Sequence, residues 1–157
     1  MCEEMSLEPI TIEKLKFKEV AKVLKMYNES SEELKQKFLN PWILTSKLGL
    51  MHLYLSTTPL KRFLLCQITS LVAKKGNEIV GFVYINKHRK NKKDLGIVVK
   101  EGYQGKKIGS RLMRAILKNQ DDIWLSAIGD NERAIKLYEK HGFKTEYVFR
   151  VMRLKKK

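Results

Sequence analysis

Leu95-Gly96-Ile97-Val98-Val99-Lys100-Glu101-Gly102-Tyr103-Gln104-Gly105-Lys106-Lys107-Ile108-Gly109-Ser110 joins an apolar run to a helical pattern through three glycines within eight residues. Leu95 to Val99 is a short apolar run and reads as a strand. It enters a glycine-bearing loop and passes directly into Ile108 to Lys118, where Ile108, Leu112, Met113, Ile116 and Leu117 share one helical face. The start of a helix leaves backbone N–H groups unpaired and carries partial positive charge. Glycines let a ligand come close to the backbone, so a strand, a tight loop and a helix in this order form a pyrophosphate cradle. Lys106, Lys107 and Arg111 add positive charge around it. Other phosphate loops fit less well. Gly105-Lys106 is followed by Lys107 rather than by Ser or Thr, which excludes a Walker A loop, and the three spaced glycines of a dinucleotide fingerprint are absent. The competing reading of this stretch alone is an ordinary strand-to-helix turn.

Working outward, Ser70 to Lys74 and Glu78 to Lys87 read as a hairpin turned by Gly76-Asn77. A basic loop follows, Lys87-His88-Arg89-Lys90-Asn91-Lys92-Lys93. Ile123 to Ile128 predicts a strand and Asn131 to His141 a helix stopped by Gly142. Phe143 to Leu154 reads as further strand. Toward the N-terminus, Ile12 to Asn28 predicts a helix with Phe17, Val20, Ala21, Leu24 and Tyr27 on one face. Ser30 and Glu33 form a capping-box pattern for a second helix, which Pro41 interrupts. Trp42 to Gln67 holds one or two short helices, with a break at Pro59. The implied fold class is α/β (α+β mixed): a largely antiparallel central sheet with one parallel splice, flanked by helices.

The 157 residues suit one domain with one core. With 43% hydrophobic and 31% charged residues the chain is globular in composition. Neither a signal peptide nor a membrane span is expected: Met1 to Ile10 is acidic, and the longest uncharged run, Leu48 to Leu60, is too short to cross a bilayer. Cys2 and Cys66 make no disulfide framework, so a reducing cytoplasm is the expected setting. His52, His88 and His141 lie far apart without metal-ligand spacing, so no metal is expected. The net charge of +15 favours anionic partners, whether a cofactor, an acidic substrate or nucleic acid. The plainer account is a solvated, lysine-rich surface. Nucleic acid is the less favoured partner, because the basic loop carries no interleaved aromatics.

A second stretch sharpens the functional reading: Asn131-Glu132-Arg133-Ala134-Ile135-Lys136-Leu137-Tyr138-Glu139-Lys140-His141-Gly142-Phe143. Asn131 and Tyr138 stand two helical turns apart, about 10 Å along the axis, on one face. Read alone, they are an N-cap and a half-buried core residue. Taken with the loop, they resemble the GCN5-related N-acetyltransferase (GNAT) family. Its loop pattern, Gln or Arg, two residues, Gly, one residue, then Gly or Ala, is similar to Gln104-Gly105-Lys106-Lys107-Ile108-Gly109. Val99 and Tyr103 match the residues before it. Asn131, Ala134, Leu137, Tyr138, Gly142 and Phe143 match the family's later pattern, and Ile79-Val80-Gly81-Phe82 resembles its central strands. The resemblance runs from about Ser70 to the C-terminus. Lys107 stands where a Gly is usual, and Glu101 where a Pro is usual.

The resemblance implies one acetyltransferase domain over residues 1–157. Residues 1–67 would be a helical acceptor-side region and 68–157 the core that binds acetyl-CoA as co-substrate. The cofactor would lie in a V-shaped gap between splayed parallel strands, Leu95 to Val99 and Ile123 to Ile128, with Gly96 fitting a local bulge. Ile97 or Val98 would supply an N–H for the thioester oxyanion. Val99 would pair with the pantetheine arm, and Gln104, Gly105, Lys106, Lys107, Ile108, Gly109 and Ser110 would hold the pyrophosphate. Asn131 would bond the pantetheine or its surroundings, and Tyr138 would protonate the departing thiolate. The acceptor is an amine of a small molecule, a peptide N-terminus or a lysine. Tyr84 and Ser126 are candidates to line its side, whereas Asp94 and Glu101 are read as a loop cap and a solvent-facing carboxylate rather than as the base. The alternative is a non-catalytic acyl-CoA-sensing or nucleic-acid-binding module on the same fold. No membrane partner is implied, and a homodimer is left open.

Overall fold

A five-stranded sheet in the order β1-β2-β3-β4-β5 runs through the molecule. The computed structural model describes residues 9–38, 42–59, 68–87, 92–148, 150 and 152–154. The strands are β1 (Ile10–Lys14), β2 (Ile68–Lys75), β3 (Glu78–Lys87), β4 (Lys93–Val99) and β5 (Ile123–Trp124). The helices are α1 (Val20–Asn28), α2 (Glu32–Lys37), α3 (Trp42–Thr45), α4 (Lys47–Ser56), α5 (Ile108–Ile116) and α6 (Glu132–Lys140). The first four strands pair antiparallel, and β4 with β5 is parallel.

Strand alternation sorts the core onto two faces. Val72, Phe82, Tyr84 and Val98 join Val20, Val23, Tyr27, Ile43 and Leu53 on one side. Ala73, Val83, Ile85 and Leu95 join Ile108, Leu112, Met113 and Ile116 of α5 on the other. Each of these buried aliphatic side chains contributes roughly 1.5–3 kcal/mol of transfer free energy. Gly81 brings α5 close: a Cβ there would stand 3.0 Å from Leu112 and 3.3 Å from Ala73.

The hairpin, the third strand and the helix after the loop form where the sequence predicts them. Elsewhere the structure corrects the reading. Ile10 to Lys14 is a strand pairing with β2, not the start of a helix. Ile10-Thr11-Ile12 is β-branched and alternating, and five residues do not separate a strand period from a helical one. The buried face of α1 is therefore Val20, Val23, Met26 and Tyr27, while Phe17 is exposed. The cap of α2 is Ser31, whose Oγ accepts from the Leu34 N–H at 3.2 Å. Ser30 instead donates to the Met26 carbonyl. Ile123 to Ile128 yields strand only at Ile123–Trp124, because the chain leaves the β4 ladder after two pairs. No strand forms among the described residues of 143–154, where Tyr147, Val148, Met152 and Leu154 are exposed. An alternating pattern without a partner ladder does not hold a strand. Residues 39–41, 60–67 and 88–91 lie outside the described set, and with them Pro41 and most of the basic loop.

Candidate active site

The divergence of β4 from β5 sets the geometry of the site. They pair only at Lys93↔Ile123 and Asp94↔Trp124. Lys93 Nζ donates to the Asp121 carbonyl at 3.0 Å and pairs with its carboxylate, which holds that end shut. Lys92 lies over the Trp124 ring at 5.5 Å. Beyond it the strands part. The Lys100 N–H donates to the Val80 carbonyl, which makes those opposed residues a hydrogen-bonded pair. Antiparallel alternation then turns the N–H and C=O of Val98 and Gly96 into the β3 ladder, and those of Ile97 and Val99 toward the gap. Of the two residues expected to offer an oxyanion donor, Ile97 has the suitable phase. Gly96 sits in continuous register opposite Tyr84, so it makes no bulge. The sheet's irregularity falls at Ala73/Lys74, with Val80 as the extra residue of β3. Gly96 is required by space: a Cβ would meet the Tyr84 ring at 2.5–2.8 Å.

The gap opens onto the loop and the start of α5. Lys107, the residue before that helix, is left-handed at φ 60°, ψ 9°, and gives no side-chain cap. A residue with a Cβ holds this conformation at a cost of about 1–2 kcal/mol, which explains why the family's usual residue here is Gly. No acceptor among the described residues takes the N–H groups of Ile108, Gly109 or Ser110. Three donors at the positive end of a helix thus stand without an acceptor among these residues. Gly109 serves packing as well: its Cα faces α6, and a Cβ would stand 3.1 Å from Leu137. A side chain there would require the end of Leu137 to give way by a few tenths of an ångström. Ser110 Oγ shares a 2.9 Å hydrogen bond with His141 Nε2. Burial, then Arg114 and Lys140, hold His141 below the ordinary histidine pKa.

The loop is braced on both sides. Glu78 accepts from Lys100 Nζ at 2.5 Å and from the Tyr103 hydroxyl at 2.9 Å. Lys106 lies over the Tyr103 ring at 5.1 Å. Glu101 is exposed but not idle: it accepts from the hydroxyl and the N–H of Ser31, tying the loop to the start of α2. Those bonds hold its carboxyl below the usual carboxylate range. Gln104 Nε2 donates to the Val99 carbonyl at 3.1 Å, and Arg133 Nη1 donates to Gln104 Oε1 at 2.9 Å. Arg111, expected beside the loop, donates to the Ile10 carbonyl instead.

α6 flanks the gap. Asn131 caps it, its Oδ1 accepting from the Ala134 N–H at 3.3 Å. Tyr138 packs edge-on against Phe143, ring centroids 6.1 Å apart, and burial pushes its pKa up to about 12. No hydrogen bond serves its hydroxyl among the described residues, yet no fully buried side-chain oxygen there lacks a partner. The hydroxyl therefore reaches open space. Tyr84 is buried with its pKa raised, first by desolvation and then by Asp94, whereas Ser126 is exposed. Among the described residues no His/Cys/Asp/Glu group could hold a metal, and no helix is long and apolar enough to cross a membrane. Arg133 and His141 escaped the sequence reading. The available signal for Arg133 was a cation in a helix's first turn, where acidic residues are favoured.

The described residues thus form a sheet with one splayed parallel pair, a glycine loop beside it and a helix without a side-chain cap. The chain belongs to the acetyltransferase (GNAT) domain family, whose model matches residues 67–145. No curated protein matches it. Among solved structures, a GNAT-family acetyltransferase from Streptococcus pneumoniae is 21% identical with a TM-score of 0.68, over 88% of this chain and 87% of that one. The PaiA N-acetyltransferase of Thermoplasma acidophilum, solved with coenzyme A, is 25% identical with a TM-score of 0.65, over 88% and 91%. YncA of Salmonella typhimurium, a putative acetyltransferase solved with acetyl-CoA, is 15% identical with a TM-score of 0.62, over 86% and 79%. The mixed α/β fold expected from the sequence is the fold these structures share.

Proposed function

We propose that the chain binds acetyl-CoA in the β4–β5 gap and transfers its acetyl group to a primary amine. The observation that carries this is the gap itself: backbone groups of Ile97 and Val99 turned away from β3, ending at three N–H groups on α5 that no described residue accepts from. The coenzyme A bound by PaiA supports the same ligand here. In this reading the loop from Gln104 to Ser110 holds the diphosphate, Val99 aligns the pantetheine arm and Asn131 borders it. The chain acts as one unit, with residues 1–67 shaping the acceptor side and the cytoplasm as its setting.

The neutral amine attacks the thioester carbonyl carbon, and a C–N bond forms as the C–S bond breaks. Charge that builds on the carbonyl oxygen is met by the Ile97 N–H, fixed in place by the sheet at no reorganisation cost. The ammonium proton leaves to water, and the departing sulfur takes a hydrogen bond from the Tyr138 hydroxyl. A phenol with a pKa of about 12 stays protonated at neutral pH and donates that bond more readily than it gives up the proton outright.

Thiol release from acetyl-CoA, measured against a panel of small amines, peptide N-termini and lysine peptides, tests the proposal. Saturable release that depends on one amine class is expected. Tight acetyl-CoA binding without amine-dependent release would replace the enzyme with an acyl-CoA sensor.

A further inference from the structure

Arg133 occupies an electrostatically unfavourable place. It lies in the first turn of α6, where the helix end is already positive, and it forms no ion pair among the described residues. Its one hydrogen bond among the described residues goes to a neutral amide, Gln104 Oε1. Its other terminal nitrogen presses on the loop: a Cβ on Gly105 would stand 2.9 Å from Nη2. Gly105 is left-handed at φ 79°, so at this point the loop backbone and the guanidinium lie against each other. Gln104 meanwhile spends its N–H on the Val99 carbonyl, the acceptor that alternation aims into the gap. The chain Arg133–Gln104–Val99 thus ties the first turn of α6 to the end of β4, where strand becomes loop.

We infer that Arg133 and Gln104 form a latch across the mouth of the gap, opened when a diphosphate takes the guanidinium from Gln104. The inference rests on the proposed binding of acetyl-CoA in this gap. With the latch closed, the guanidinium is held near the loop by a neutral partner that a charged oxygen outcompetes, since charge-assisted hydrogen bonds are about twice as strong as neutral ones. With the latch open, the Val99 carbonyl is released to accept from an amide of the ligand's arm. The phosphate end and the amide arm therefore bind cooperatively: anchoring the first uncovers the acceptor for the second.

Calorimetric titration of acetyl-CoA, its form lacking the 3′-phosphate, and acetyl-pantetheine against the full-length protein separates the possibilities. Arg133→Ala should weaken both phosphate-bearing ligands by about 10- to 100-fold, as expected for a lost hydrogen bond to a charged group, and leave acetyl-pantetheine unweakened. Arg133→Lys should recover part of the loss. Gln104→Ala should bind acetyl-pantetheine more tightly, by roughly the several-fold that one released neutral hydrogen bond represents. Thermal melts confirm that each variant is folded. Equal losses for all three ligands, no loss at all, or a loss confined to the 3′-phosphorylated ligand would overturn the diphosphate assignment. Weaker acetyl-pantetheine binding by Gln104→Ala would overturn the latch. Failure of the unmutated protein to prefer phosphate-bearing ligands would instead sink the cradle reading beneath it, and is recognised because no variant is involved.

Discussion

Two helices begin beside the gap, and they begin differently. α6 is closed by its own sequence: the Asn131 oxygen takes the Ala134 N–H, as Ser31 and Ser46 do for α2 and α4. α5 is left open. Its preceding residue is a lysine in the left-handed region with no side-chain acceptor to offer. An uncapped start costs stability, typically about 1 kcal/mol relative to a good cap, and Lys107 adds backbone strain. The difference teaches where fold and function part. α6 spends its first-turn chemistry on folding, whereas the first-turn N–H groups of α5 have no acceptor among the described residues.

The comparison breaks most visibly at Tyr138, the side chain α6 is proposed to bring to the reaction. Tyr138→Phe keeps the ring against Phe143 and removes only the donor. The expected result is a fall in kcat of roughly 10- to 1000-fold, with acetyl-CoA affinity and melting temperature nearly unchanged. Full kcat in the Phe variant, measured where chemistry limits turnover, would leave water as the hydrogen-bond donor to the departing sulfur. Because the pKa is about 12, no loss of activity between pH 8 and 10 should be traceable to this residue.

Next in size is the cap itself. Asn131→Ala should destabilise the protein by about 0.5–2 kcal/mol in denaturant unfolding, and Asn131→Asp should restore most of it. If Asn131 also borders the pantetheine arm through its amide N–H, the Asp variant will be stable yet bind acetyl-CoA less well. Equal affinity in the Asp variant would confine Asn131 to capping.

What was legible in the sequence follows the same division. Leu95 to Ser110 could be read because each local signal agreed: a β-branched run, glycines, then a helical face. Gly96 reads as a bulge but answers to the Tyr84 ring, and the packing of Gly109 on Leu137 is likewise hidden from a local reading, since both partners are distant in sequence. Ile10 to Lys14 could not be read, because its partner strand begins more than fifty residues later. Arg133 and His141 became visible only with their partners, Gln104 and Ser110, in place.

A smaller effect attaches to Lys107. Lys107→Gly removes the left-handed penalty of about 1–2 kcal/mol, while glycine's freedom in the unfolded chain returns about 0.4–1 kcal/mol. A net gain of about 0–1.6 kcal/mol is expected, with acetyl-CoA affinity retained because the donors on α5 are backbone groups. A tenfold loss of affinity in the Gly variant would show that the lysine charge, not the open helix start, supplies the anion binding.

The smallest expected effect lies where the two helices meet, at Ser110 and His141. The hydrogen bond joins the first turn of α5 to the end of α6. Burial, with Arg114 and Lys140 nearby, lowers the folded-state pKa of His141 below its ordinary value of 6.5. In the unfolded chain the imidazole takes up its proton first as pH falls, so between the two pKa values the unfolded state binds more protons. Stability must then decline as pH drops below about 6.5 and level off once the folded-state pKa is passed. The cationic form is desolvated by burial and also stands beside Arg114 and Lys140, which together supply the direction. Melting curves between pH 7.5 and 5 should show this small step in the wild type and lose it in His141→Gln, which keeps a side chain able to hydrogen-bond Ser110. A step of unchanged size in the Gln variant would assign it to another group. Stability that rises as pH falls through this window would reverse the sign and mean that a protonated His141 is welcome at the junction.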